Sequence, residues 1–166
     1  RNDFRSLRNV LREANSLARA HALMQQEAAS SGVRYDVICC SRMDVLYIDK
    51  LPTACVNELR ALDGSTAFVP NFHEWKMSST GSVSRSGGMN DRFAVGGPQA
   101  MRAYAAGRVP SMHAFCRARQ MPLHTETFLQ WHMRRAGADV KRMHFRLQRL
   151  RATGEVHPGD RELLPA

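Results

Sequence analysis

The chain reads as an α/β fold, a sheet flanked by helices, and three observations predict it. A long apolar repeat of helical period opens the sequence, short apolar runs of strand length follow it, and segments with helix start and stop signals separate those runs. The 166 residues, 43% of them hydrophobic and 7% aromatic, suit one domain with an adequate core. No stretch approaches the roughly 18–20 uninterrupted apolar residues that a membrane helix needs. There is no internal repeat and no sign of a second domain.

Phe4, Leu7, Leu11, Ala14 and Ala18, continued by Leu17, Met24 and Ala28, give one apolar face of a long helix, which Ser30-Ser31-Gly32 stops. Tyr35 to Cys40 is a buried strand, with Val45–Ile48 as its extended continuation. Pro52 precedes a short helix over Thr53–Leu62 that Asp63-Gly64 ends, and Ala67-Phe68-Val69 is a second strand before Pro70. Asn71 to Met89 is rich in Ser and Gly; so long a loop in a compact domain points to a functional lid or an acceptor-contacting loop, and Phe72-His73-Glu74-Trp75 is too aromatic for a linker. Asp91–Val95 resumes as a strand. Gly96-Gly97-Pro98 then turns into a helix with Met101, Tyr104 and Ala105 on its inner face. Thr125 is placed to cap another helix, lined by Phe128, Leu129, His132 and Met133 and closed by Gly137. Val140–Phe145 is the last strand, and residues 155–166 read as an irregular tail.

The net charge is +9, yet 21 of the 24 basic residues are Arg, a skew that a G+C-rich genome produces without any polyanion partner. Seven basic residues between Arg134 and Arg151 set up a local positive field, but no aromatic residues interleave as they do in nucleic-acid binders. Cys39, Cys40, Cys55 and Cys116 lack C-x-x-C spacing, which argues against structural zinc and for buried free thiols. The redox compartment stays open.

Three segments offer chemistry. Ligands of open α/β sheets bind beyond the carboxyl ends of strands, and there the first strand runs into Ser41-Arg42-Met43-Asp44. Arg42 can pair with phosphate oxygens and Asp44 can hold a divalent cation; the plain alternative is an ion pair capping the strand. In Gly87–Gly97 the flanking glycines permit close backbone approach, and Asn90, Asp91 and Arg92 present amide, carboxylate and guanidinium in series, a set suited to sugars; its alternative is a turn with a local salt bridge. Glu126, beside His124 in the first turn of its helix, is a candidate general base, against which stands the common helix-start acid. There is no G-x-S-x-G, Walker loop or G-x-G-x-x-G.

Taken in order, Tyr35-Asp36-Val37-Ile38 leading to Arg42-x-Asp44, then Asn90-Asp91-Arg92-Phe93-Ala94-x-Gly96, Met101-x-x-Tyr104, His124-Thr125-Glu126 and Phe145-x-x-x-Arg149-x-Arg151-x-x-Gly154 resemble GT-A-like glycosyltransferase domains of an algal and viral type. The resemblance spans roughly residues 5–154, with Asn-Asp-Arg-Phe its most specific part. It implies a GT-A-like central mixed sheet, a nucleotide-sugar donor, a glycan or glycoprotein acceptor, and Mn²⁺ or Mg²⁺ at an Asp-x-Asp motif. Arg42 stands at the first acidic position of that motif, leaving Asp44 as the sole carried-over metal ligand. The resemblance further implies Arg42 and Asp44 at the diphosphate, Asn90, Arg92, His124 and Trp75 at the sugar or acceptor, and Glu126, or else Asp91, as base. Such a domain would begin upstream of Arg1 with a nucleotide-binding strand and loop; the compartment stays open, with the Golgi or secretory lumen favoured over the cytosol. Two rivals are a non-catalytic carbohydrate-binding or pseudo-glycosyltransferase domain and a basic nucleic-acid-associated domain. If one site is shared, Arg42-x-Asp44 and Asn90-Asp91-Arg92 must meet at one sheet edge.

Overall fold

A computed structural model describes residues 5–163. Phe4, expected on the apolar face of the first helix, lies outside them, as do residues 1–3 and 164–166. Along the chain run α1 (Arg5–Ser31), β1 (Ile38–Ser41), β2 (Val45–Tyr47), α2 (Thr53–Ala61), β3 (Thr66–Pro70), β4 (Lys76–Met77), β5 (Val83–Ser84), β6 (Phe93–Gly96), α3 (Pro98–Ala106), α4 (Arg108–Arg119), α5 (Thr125–Arg135), β7 (Asp139–Met143) and β8 (Leu147–Arg149). A 3-10 helix over Pro158–Leu163 follows. The fold is α/β with a mixed sheet in the order β1-β6-β3-β7: the first two pairings are antiparallel, and β3–β7 is parallel. β2 and β8 form a separate antiparallel ribbon, and β4–β5 a small hairpin.

Strand alternation sorts the core into two layers. Ala67 and Val69 of β3 and Ala94 of β6 face Met101, Tyr104, Leu129 and Met133 of α3 and α5, with Leu17 and Met24 of α1 packed alongside. Phe68, Phe93 and Val95 point the other way, onto Cys55 and Leu59 of α2 and onto Phe145 and Leu147. A third cluster joins Ala14 of α1, Met112 and Phe115 of α4, and Phe128 of α5. Every residue of β3 and β6 is buried, as covering a sheet on both faces requires.

Several expectations need correction. The inward stripe of α1 is Val10, Ala14, Leu17, His21, Met24 and Ala28, while Leu7 and Leu11 face solvent. β1 is shorter than Tyr35–Cys40, and Val45–Ile48 does not continue it but pairs with β8. β6 starts at Phe93 because the Asn90 side chain accepts from Arg92 N (3.0 Å), a turn that holds Asp91 outside the ladder. Thr125 is the first helical residue of α5, not its cap; His124 takes the cap position with no side-chain bond to the backbone. Of the cysteines, all free, only Cys55 is buried, and Cys39 is exposed. The Asn71–Met89 segment contains the β4–β5 hairpin and is tied to α5 through Met77 N to Thr127 Oγ1 (2.8 Å) and Met89 N to Glu126 O (3.0 Å). The tail is not wholly irregular, since it holds the 3-10 helix.

Phe115 sits fully buried in T-shaped contact with Phe128 and Trp131. Phe115→Ala is expected to cost about 3–5 kcal/mol in urea unfolding. Met43→Ala, at a fully exposed position, should change stability by less than about 0.5 kcal/mol.

Candidate functional site

The β1–β6 register, Ser41 opposite Phe93, carries Arg42 opposite Arg92, and Arg42 N donates to Arg92 O (3.0 Å). The two segments singled out in the sequence therefore meet at one edge of the sheet, where β1 ends and β6 begins. α3 and α5 close the site. Tyr104 of α3, buried, donates its hydroxyl to Asp91 O (3.1 Å), and α5 brings up His124 and Glu126.

Arg42 is half-buried and triply bonded: Nε and Nη2 donate to the two Asp44 oxygens (2.8 Å each), and Nη1 donates to Glu13 of α1 (3.1 Å). The paired Arg42 holds Asp44 below the usual carboxylate range, and its bond to Asp44 in turn raises Arg42 above an ordinary guanidinium despite burial. Glu13 also faces Arg108 Nη1 at 3.6 Å. Arg108 is 1% exposed, stacks 4.1 Å over the Tyr104 ring and donates Nε to Tyr104 O (2.7 Å). Burial pushes Glu13 up, and the Asp91 charge adds to the effect, against Arg108 and Arg42.

The Asp91 charge reaches both halves of the site, for it also acts on Arg42, His124 and Glu126. Among the described residues no guanidinium bonds to Glu126. Burial first, and Asp91 second, push it up to about 7, with Arg92 and Arg149 opposing. His124 Nε2 stands 3.4 Å from Glu126, and its Nδ1 meets Thr127 Oγ1 at 2.9 Å. Burial holds His124 below the usual imidazole range. Gly88 seats the preceding loop against this pair, where a Cβ would lie 1.8 Å from Trp75 O and 3.1 Å from the Glu126 Cβ.

The remaining expected residues are occupied within the protein. Asn90, 1% exposed, donates to Phe72 O (2.8 Å) while accepting from Arg92 N, so it shapes the loop rather than facing a sugar. Arg92 is buried with Nη1 on Asp160 (2.8 Å) and its guanidinium over the Phe72 ring. Trp75, half-buried, donates Nε1 to His73 Nδ1 (3.0 Å) and lies under the Arg85 guanidinium. His73 itself has φ +49°, an uncommon conformation for a non-glycine residue.

Glu13, Arg108 and Asp160 were not singled out in the sequence, and His73 only as part of an aromatic loop segment. The one sequence signal for Glu13 was its place on the inward stripe of α1, between Val10 and Leu17. Asp160 was hidden in Pro158-Gly159-Asp160, which has turn composition.

A divalent cation does not suit the donors at Asp44. Such ions take six or more oxygens, and here a lone carboxylate already has both oxygens on a guanidinium. Among the described residues no cluster of three or more His, Cys, Asp or Glu could hold a metal. The basic run is also largely matched: Lys141 pairs with Glu58, Arg142 with Glu74, Arg146 with Asp49 and Arg149 with Asp160. Among the described residues no helix is long and apolar enough to cross a membrane. A cavity of about 440 Å³ lies behind Gly88, between Glu74, Gln130 and Arg142. No family model, curated protein or solved structure matches the chain.

The raised Glu126 gives a signed expectation. Its stabilising contribution is whole below the unfolded carboxylate value near 4.5 and is lost as pH rises through about 7. Wild type should therefore lose on the order of 2–3 kcal/mol relative to Glu126→Gln between those pH values, measured by urea unfolding at each pH. A parallel pH dependence in the two proteins would place the Glu126 titration in the normal range.

Proposed function

We propose that this chain is the catalytic part of a glycosyltransferase that uses a nucleotide-sugar donor and a hydroxyl acceptor, a glycan or glycoprotein. The observation that carries the reading is Glu126, to which no guanidinium among the described residues bonds, within the field of Asp91 at the edge where the Arg42 and Arg92 backbones meet. A base whose pKa lies near the working pH removes a proton most effectively. Glu126 takes the acceptor proton as the acceptor oxygen bonds to the anomeric carbon. The bond from that carbon to the diphosphate breaks, and its electron pair leaves with the nucleoside diphosphate. Arg42 meets the charge that builds there, as preorganised donors do in transition-state stabilisation. Asp91 is the alternate base. His124 and Trp75 flank Glu126 and the Gly88 loop, where an acceptor would lie. No step runs through a metal.

One observation favours a non-catalytic carbohydrate-binding or pseudo-glycosyltransferase domain instead: Asp44, Asn90 and Arg92 are all satisfied within the protein. The matched charges of the basic run support a nucleic-acid role less.

A panel of nucleotide sugars, scored by thermal shift and by nucleoside diphosphate release, separates these readings. The transferase reading expects one donor to raise Tm and to turn over with an acceptor. Glu126→Gln should then cut turnover roughly 100-fold or more with donor affinity nearly intact. Binding without release would support the carbohydrate-binding domain, and no shift with any donor would sink both.

A further inference from the structure

The chain after β8 is held to the body in an unusual way. From Arg151 to Arg161, Asp160 is the one buried side chain, with Val156 and His157 half-buried and the rest exposed. Asp160 itself is 0% exposed. Its Oδ2 accepts from Arg92 Nη1 (2.8 Å), Arg149 N (2.7 Å) and Arg149 Nε (3.3 Å). Its Oδ1 accepts from Arg149 Nη2 (3.3 Å) and lies 3.4 Å from His73 Nε2. The Asp160 carbonyl accepts from Gln148 Nε2 (3.0 Å), and His157 Nδ1 meets both Arg149 Nη2 (3.2 Å) and Gly159 N (3.1 Å).

Two guanidiniums, a backbone N–H and an imidazole thus converge on one small anion. That donor set is what binds a phosphoryl group, for which planar guanidinium forks and backbone amides are the matching partners. The donors come from the loop entering β6 (Arg92), from β8 (Arg149) and from the segment after β3 (His73), all parts of the body. The anion alone comes from the tail. The tail also bonds to the body through its backbone, His157 N donating to Arg149 O (2.8 Å) and Val156 bridging Leu150, but Asp160 is its charged anchor, the one that a stronger anion in the same seat can displace. Removing Asp160 would leave the buried Arg92 and the half-buried Arg149 side by side without the carboxylate to which both donate, so the empty seat favours an anion.

We propose that Arg92, Arg149 and His73 form a diphosphate-binding seat, and that Asp160 is its internal occupant, so that a diphosphate binds by displacing the tail. The seat excludes Arg42, Asp44 and Glu126, and it stands whether or not the chain transfers sugars. For the transferase reading it adds a latch: the tail is closed in the resting protein and opens as an anionic ligand enters. Apparent affinity in the intact chain is reduced by the fraction of time the tail is off, a reduction that removal of Asp160 abolishes.

The test uses the full chain and inorganic pyrophosphate at fixed ionic strength, with no sugar. Calorimetry should find pyrophosphate bound roughly tenfold or more tightly by Asp160→Ala than by wild type, and Asp160→Ala with Arg149→Gln should lose that gain. In wild type, pyrophosphate should speed amide exchange over residues 151–161 roughly threefold or more while β6 stays protected. A folded Asp160→Ala protein with no gain in affinity overturns the seat. Should that variant fail to fold, the wild-type exchange decides, and tail protection unchanged by pyrophosphate overturns the proposal equally. Pyrophosphate that opens the tail in a protein which no nucleotide sugar stabilises would keep the seat and sink the transferase.

Discussion

The antiparallel register of β1 on β6 is the constraint on which the rest of the structure depends. Ile38 opposite Gly96 and Ser41 opposite Phe93 carry Arg42 to Arg92. β6 is buried on both faces, with Phe93 and Val95 in one core layer and Ala94 in the other. A slip of one residue would exchange those layers and turn Arg92 away from Asp160, so packing of the apolar side chains fixes where the charges meet. Gly96 enforces the same register from the β3 side, because a Cβ there would stand 2.9 Å from the Ala67 Cβ.

That register gathers more charge than a core of this size ordinarily holds. Arg92, Arg108 and Asp160 are each at most 6% exposed. Taking such groups out of water is costly, and good pairing offsets the cost without making the pairs a source of stability. Asp160 is well paired: burial pushes it up, but the Arg149 bonds and the Arg92 charge prevail and hold it below the usual carboxylate range. Glu126 is the member to which no guanidinium among the described residues bonds, and its pKa moves the other way. Burial drives the one carboxylate up while arginines hold the other down.

Legibility in the sequence followed the range of each interaction. α2, α3 and α5 were readable because Pro52, Gly97-Pro98, Gly137 and apolar spacing are local signals, and β3 because Ala67-Phe68-Val69 is an uninterrupted apolar run. α4 gave little: Pro110 lies in its first turn, and its buried residues are only Arg108, Met112 and Phe115. β8 is three residues long and buries a glutamine, so neither length nor alternation announced it. The residues of the site on β1, β6 and α5 were visible as motifs. Their supports, Glu13 from α1 and Asp160 from the tail, act across 29 and 68 residues of chain, and no local pattern encodes such a pairing. Asn90 and Arg92 were visible for the same reason, yet their partners Phe72 and Asp160 turned them inward.

The arginines of the site differ in what they can still do. A guanidinium carries five N–H donors. Arg42 uses three, on Asp44 and Glu13, and its side chain stays 31% exposed. Two donors are left to meet a ligand oxygen without breaking either pair, and the carboxylates keep the fork from swinging away. Arg92 has one bond to Asp160 but is only 6% exposed. Its guanidinium lies between Asp160 and the Phe72 ring, so on the proposal above a ligand reaches it where the tail now sits. On the proposed latch, an anion approaching from solvent meets Arg42 first, and Arg92 only after Asp160 has moved. That order follows from which arginine found its carboxylate nearby and which found it at the far end of the chain.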